Sequence, residues 1–517
     1  MVYKNCFLEL EGILRMAGLS GILYLNRKSL NNTKPELDMM LDKISYRGLC
    51  KKHISEVKGC NNGYIGLISN YDINKTGEKY KIFLDGKIYN LDYLLNKHSI
   101  NANKKNLSDI LKIELLFEKI SVGIFKDFEG PFVLIIVDRA GNFFISRDYL
   151  GRKPLYYSID KKQNKISFAS ELKALDPFLD KSEVFILKPG KFIKNGDEPK
   201  YFKQLDLNYF KNKESTSKTE TIKKVDSLLT NAVKKRLSAY KGKILGVWLS
   251  GGLDSSLIAA ILKKYHDNVI TFSVGFENSP DLLASKTVAN YIGSKHIEYK
   301  LKTDEIFNLI PEAIYTLESF DAPLVRSSIG NMIVSRLSSK ADIVFSGEGG
   351  DEVFAGYNYF LDFNNDEEIQ KELLKALKSL HNTALQRVDR FANKYSVDVK
   401  LPLLDEELIY FSFNIPPAFK INKNMTKYIL REVALKYLPE NIVWRTKDKF
   451  WEGSGINEKL KNKIDKIISD EEFNKNSKIA NNFKLRNKEE MYYFEIFRKF
   501  FPKSNYNNII SFTEDFN

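Results

Sequence analysis

Cysteine is scarce in this chain: Cys6, Cys50 and Cys60 are the only three in 517 residues. Their spacing makes no zinc-ligand pair, and three thiols are too few for a disulfide framework. A reducing cytoplasm is therefore the expected compartment. Long apolar runs are also missing. No stretch of about 18 apolar residues occurs, which excludes a transmembrane helix. Glu9 and Glu11 interrupt the apolar N-terminus, which argues against a signal peptide. A compact basic block is absent too. The net charge is +14, but the lysines are spread over the whole length without interleaved aromatics, as in a composition bias. Neither nucleic acid nor a membrane is expected as a partner, although an anionic substrate such as a nucleotide would profit from the field.

At this length one core is not enough, and two or more domains are expected. Residues 1–15 read as an N-terminal extension and 16–210 as a first domain. That domain is dominated by short β-type runs (LSGILYL, YIGLIS, YKIFLDG, PFVLIIVD, NFFISRD, KISFAS), with a helical pattern over 109–118. Residues 211–221 (KNKESTSKTET) are polar and read as a linker. From 222 to 517 the period changes. Helix-length amphipathic segments alternate with the apolar runs KILGVWL, NVITFSVGF and DIVFSG, which predicts an α/β domain around a parallel sheet. The part from 366 onward is mostly helical by pattern. Residues 470–490 are polar and weakly patterned, and are expected to be mobile.

Two stretches carry the chemistry. Residues 249–256 read LSGGLDSS, an apolar strand entering a Ser-Gly-Gly turn and then a helix. Gly251 and Gly252 let backbone N–H groups approach an anion. The helix start adds further N–H donors, and Ser250, Ser255 and Ser256 add hydroxyls, so the string suits pyrophosphate. The phosphate loop GxxxxGK[ST] is not present. Asp254 would repel phosphate on its own, but not with Mg²⁺ between them. The second stretch, residues 345–352 (FSGEGGDE), follows another apolar strand. Three glycines and three acids in seven residues cannot form core. They suit close backbone approach and either Mg²⁺ binding or orientation of an amine.

SGGLDSS together with SGEGGDEVFAGY resembles the asparagine synthetase family, whose synthetase part is similar to ATP pyrophosphatases. Further matching pieces are FSVG (272–275), SPD (279–281), LPLLD (401–405), KYILR (427–431) and WRTK (444–447). In the first half, RDYLGRKPLYY (147–157) and FASELKAL (168–175) resemble the family's class-II glutaminase domain. The resemblance implies an α+β Ntn-hydrolase-like first domain, an αββα sandwich, followed by the α/β synthetase domain with its helical C-terminal part. It implies an ATP-dependent ligase that makes an acyl-adenylate and pyrophosphate, then lets an amine displace AMP, with ATP and Mg²⁺ required. Carried over, Ser250, Gly251, Gly252, Asp254, Ser255, Ser256 and Ser346 would hold ATP and pyrophosphate. Asp254 and Asp351 would bind the metal, and Leu249, Val274 and Gly347 would contact adenosine. Lys447 would stabilise charge at the acyl-adenylate, Glu348 would position or deprotonate the amine, and Arg326 would face the carboxylate of aspartate.

The same resemblance exposes a loss. Glutamine-using members open Met-Cys-Gly-Ile-x-Gly, with the cysteine as nucleophile; here the frame reads Met16-Ala17-Gly18-Leu19-Ser20-Gly21. Ala17 has no thiol, and Cys6 has the wrong neighbours to replace it. The family's Asn-Gly-Glu appears as Asp85-Gly86-Lys87, and the arginine of its Arg-Leu-Ser-Ile stretch is missing, while Arg47 and Asp109 remain. The first domain is therefore expected to fold without hydrolysing glutamine. Three readings follow: an asparagine synthetase using aspartate and free ammonia; an amide ligase for another carboxylate or amine, similar to β-lactam synthetases or lasso-peptide cyclases; and a non-catalytic partner subunit. A homodimer, and a separate glutaminase supplying ammonia, are partner expectations.

Overall fold

The computed structural model describes residues 17–25, 33–48, 51–69, 79–100, 107–175, 183–207, 217–237, 240, 242–363, 365–422, 424–446, 456–480, 483–502, 509–510 and 512–513. The chain divides into two compact units, residues 1–205 with 503–509, and residues 206–502 with 510–517.

The first unit is built from two antiparallel sheets. One runs Lys51–Val57, Asn62–Ser69, Ala17–Tyr24, Lys165–Ala169, Tyr156–Asp160, Val184–Ile186 in spatial order. The other runs Lys200–Tyr201, Lys191–Lys194, Phe143–Arg147, Phe132–Asp138, Tyr80–Gly86. Side chains alternate between the two faces of a strand, and Phe132–Asp138 is apolar on both. Val133, Ile135 and Val137 join Leu19, Leu23, Ile65 and Leu67 in the core between the sheets. Leu134 and Ile136 face the other way, onto Leu94, Leu95, Ile113 and Leu116 of the helices Leu91–Lys97 and Asp109–Ile120. The helix Thr33–Lys43 packs on the first sheet, where Leu41 fills the space a Cβ on Gly66 would take. The result is the layered helix–sheet–sheet–helix arrangement expected.

The second unit holds a five-stranded sheet, parallel throughout, in the order Lys295–Lys300, Val269–Gly275, Leu245–Trp248, Ile343–Phe345, Val399–Lys400. The chain leaves the central strand Leu245–Trp248, builds two strands outward on one side, then returns to lay Ile343–Phe345 on the other. The C-terminal ends of these two neighbours mark the switch point where open α/β sheets bind ligands. Helices including Asp366–Ser379, Ala384–Lys394 and Lys488–Phe500 make up the C-terminal part.

One expectation is corrected. The polar segment read as a linker over 211–221 turns helical at Lys218, the start of the helix Lys218–Leu237. The Glu220 carboxylate accepts from Ser217 N at 3.0 Å, and Ser217 Oγ accepts from Glu220 N at 3.3 Å. That reciprocal capping begins a helix in a polar sequence. Within the segment 470–490, the described residues form the helix Asp470–Asn476 and the paired strands Lys478–Ala480 and Phe483–Lys484. Ser469 caps that helix through a 3.1 Å bond from Glu472 N. Among the described residues no helix is long and apolar enough to cross a membrane.

Candidate active site

The two motif loops leave the adjacent strands at the switch point and close on each other. In the first loop, Ser250 N donates to Ser255 Oγ at 3.1 Å, the two hydroxyls lie 3.0 Å apart, and Gly252 N donates to Ser250 Oγ at 3.3 Å. Gly251 has φ +74, and a Cβ on it would fall 2.7 Å from Asp281 O. Both conformation and space therefore require glycine there. Ser256 Oγ is buried with no hydrogen-bond partner among the described residues. Leu249 and Ser346 are buried, and Val274 is half-buried at the end of its strand.

The glycines of the second loop make room for the first. A Cβ on Gly347 would lie 2.6 Å from Ser255 N, and one on Gly350 would lie 2.5 Å from the Asp254 carboxylate. Asp254 and Asp351 are thereby brought to one cation. Lys427 Nζ lies 2.7 Å from Asp351 Oδ1 and also bonds Asp254. Gly356 leaves the volume for this contact, since a Cβ there would stand 2.0 Å from Lys427 Cε. Two carboxylates converging on one positive group, beside a loop of hydroxyls and amides, are an all-oxygen donor set. That set fits Mg²⁺ shared with phosphates, which binds through one or two carboxylates and keeps its other positions for phosphate and water.

Beyond the loops, Glu348 Oε1 accepts from Arg387 Nη2 at 2.7 Å, and Arg387 Nη1 donates to Ser327 Oγ at 3.1 Å. Burial alone would weaken Arg387's hold on its proton, but Glu348 beside it more than offsets this and the pKa is raised. Glu352 is buried next to Asp351, and burial followed by that charge raises its pKa to about 7. Tyr357 OH donates to Glu352 Oε1 at 2.6 Å. Arg326, on the helix Ala322–Leu337, lies with Nε 3.5 Å from Glu489 Oε1. Lys447 lies outside the described residues.

Sequence reasoning left several of these groups unassigned. Lys427 and Arg445 fall inside quoted motifs, but their roles appear only in three dimensions. Arg445 Nη2 pairs with Asp281 at 2.7 Å and Nη1 donates to Gly251 O at 3.2 Å, which fixes the glycine turn. Arg387 and Glu489 lie on amphipathic helices where nothing in the spacing distinguishes them from surface charges.

In the first unit, Ala17 opens the strand Ala17–Tyr24 and is fully buried. Its carbonyl accepts from Arg47 Nε at 3.0 Å. Arg47 reaches Glu171 Oε1 at 2.8 Å and Asp85 Oδ2 at 3.4 Å, all three side chains being inaccessible. Lys153 pairs with the other Asp85 oxygen at 3.0 Å. Glu171 also bonds Lys173 and Tyr46. Lys87 closes on Asp109 at 2.6 Å. Gly86, at φ +121, passes so close to the neighbouring strand that a Cβ would meet Pro131 O at 2.0 Å. Of the positions expected in a degenerate glutamine pocket, Lys87 and Asp109 pair with each other and Asp85 pairs with Arg47 and Lys153.

Known proteins match both units. The family model described as asparagine synthase matches residues 224–366 and 361–509, and that of the glutamine amidotransferase domain matches 16–185. The Gallus gallus asparagine synthetase [glutamine-hydrolyzing] is 34% identical over 416 residues, 72% of this chain and 73% of that protein. This chain belongs to the asparagine synthase family. Asparagine synthetase B [glutamine-hydrolyzing] of Escherichia coli is 30% identical over 84% of this chain and 80% of its own. A probable asparagine synthetase of Acanthamoeba polyphaga mimivirus is 32% identical over 80% of each. As a family member this chain is an ATP-dependent carbon–nitrogen ligase that forms amides.

Proposed function

We propose that this synthase-family ligase converts aspartate to asparagine with free ammonia as the nitrogen donor. The observation that carries the ammonia reading is Ala17, a buried methyl where the glutaminase nucleophile would stand, beside side chains already paired with each other.

In the second unit, Ser250, Gly251, Gly252, Asp254, Ser255, Ser256 and Ser346 hold the triphosphate, and Leu249, Val274 and Gly347 contact adenosine. Asp254 and Asp351 hold Mg²⁺, which supplies charge neutralisation to the phosphates when bound. Lys427, which pairs with both carboxylates, passes to a phosphate oxygen once ATP is bound. The aspartate side-chain carboxylate attacks the α-phosphorus, pyrophosphate leaves, and β-aspartyl-AMP forms. Arg326 holds the α-carboxylate and Lys447 the charge developing at the adenylate. Ammonia then displaces AMP, with Glu348, fixed by Arg387, orienting it and receiving its proton.

Incubation with ATP, Mg²⁺ and aspartate tests this. Ammonium is expected to give asparagine, AMP and pyrophosphate in equal amounts, and glutamine none. Asparagine from glutamine, with glutamate released, would overturn the ammonia reading. No product from either would overturn aspartate as substrate.

A further inference from the structure

Arg326 does not meet a substrate carboxylate alone. Its Nε lies 3.5 Å from Glu489 Oε1, and both side chains are partly covered, at 26% and 18% exposure. An ion pair so accessible adds little to stability, yet its geometry is held firmly from both sides. Glu489 stands in the first turn of the helix Lys488–Phe500, which Asn487 caps through a 2.9 Å bond from Glu490 N. Tyr493, one turn on and fully buried, donates its hydroxyl to the same Glu489 oxygen at 2.8 Å. Burial, then the charge of Glu489, pushes the Tyr493 phenol well above its ordinary range, so it remains a donor.

The start of this helix is tied to the start of Arg326's own. Arg486 pairs with Glu490 and, through Nη2, with Asp321 Oδ1, both at 2.6 Å. Asp321 caps the helix Ala322–Leu337, and Thr513 Oγ1 donates to Asp321 Oδ2 at 2.6 Å. Arg326 is next in sequence to Ser327, which accepts from Arg387, the partner of Glu348. Two ion pairs, Glu348–Arg387 and Arg326–Glu489, are thus joined through the neighbouring residues Arg326 and Ser327 of one helix.

An amino acid carries an ammonium and a carboxylate on one carbon. A fixed arginine beside a fixed carboxylate matches that pair in sign and spacing. We propose that Glu489 is a specificity-determining residue, which binds the α-ammonium of the acyl substrate while Arg326 binds its α-carboxylate. The clamp rests on the ligase reading above and narrows it to substrates with a free amino-acid head. It excludes acids that lack the amine, because a site built around a polar group strongly rejects the analogue that leaves it unpaired.

The test is pyrophosphate release from ATP with aspartate or succinate, in the full-length wild type and in Glu489→Gln. Wild type is expected to prefer aspartate by about 100-fold or more in kcat/KM. Glu489→Gln is expected to raise KM for aspartate by about tenfold or more, leaving KM for ATP and for succinate in place. Equal losses on both acids, or no change on either, would overturn the clamp. Tyr493→Phe, which removes only the anchoring hydroxyl, should move aspartate KM in the same direction by less, and it stands in if Glu489→Gln does not fold. If wild type releases no pyrophosphate with aspartate, the aspartate reading fails. The clamp is then judged by melting shifts with ATP and each standard amino acid in turn. A shift seen in wild type and lost in Glu489→Gln sustains it; no shift with any amino acid overturns it.

Discussion

Lys427 Nζ lies 2.7 Å from Asp351 Oδ1 and bonds Asp254 as well, so one ammonium joins the two motif loops. Removing it leaves two carboxylates facing each other, and breaking a largely buried pair from one side costs about 3–5 kcal/mol. Lys427→Met should lower the melting temperature in the absence of divalent ions and slow pyrophosphate release. Adding Mg²⁺ should return part of the lost stability. A variant that melts like wild type, with no response to Mg²⁺, would contradict the bridging role.

Gly350 is required by the Asp254 carboxylate, which would lie 2.5 Å from any Cβ placed there. Gly350→Ala should displace Asp254 while leaving the fold standing. A shift of about 1 Å in a catalytic group costs on the order of 10²-fold in rate. Steady-state kinetics alongside circular dichroism check this: kcat should fall by roughly that factor while the spectrum is unchanged.

How much of this was legible in the sequence differs from part to part. The parallel sheet was readable because each strand is a short apolar run followed by a helix, and the two loops because Gly-Gly and acid strings fit no core. The Lys427 bridge was not readable. It joins residues 173 apart in sequence, and a lysine before an apolar helix looks the same whether it faces solvent or carboxylates. The capping of Lys218–Leu237 was overlooked because Ser217 and Glu220 lie in a polar run, where cap and linker share one composition. In the first unit, substitutions at Ala17, Asp85 and Lys87 were visible residue by residue. That Lys87 pairs with Asp109, and Asp85 with Arg47 and Lys153, depended on the fold.

That pairing sets the outcome of a simple reversion. Ala17→Cys restores a thiol, but Lys87 still covers Asp109 at 2.6 Å and Asp85 remains tied to Arg47 and Lys153. The variant should release no glutamate from glutamine above background, with or without residues 1–16. Measurable glutaminase activity would show that the pocket had lost only its nucleophile.

Lys420 is fully buried, its nitrogen has no hydrogen-bond partner among the described residues, and it lies 5.0 Å from the centre of the Phe413 ring. Burial lowers its pKa from 10.5 to about 7. Between these values the unfolded chain holds a proton that the folded chain lacks, so this group makes stability rise with pH across that window. Its full penalty is felt at and below pH 7 and fades toward 10.5. Lys420→Met should therefore stabilise the protein by about 1–4 kcal/mol near neutral pH. The gain should shrink as pH approaches 10, as read by urea unfolding at pH 7 and pH 10.

The central claim is that ammonia, not glutamine, supplies the amide nitrogen. The most direct measurement offers both at once: ¹⁵N-labelled ammonium and unlabelled glutamine, with ATP, Mg²⁺ and aspartate, followed by mass analysis of the asparagine formed. All of the amide nitrogen should carry the label, with glutamine unconsumed. Unlabelled asparagine accompanied by an equal amount of glutamate would contradict the account.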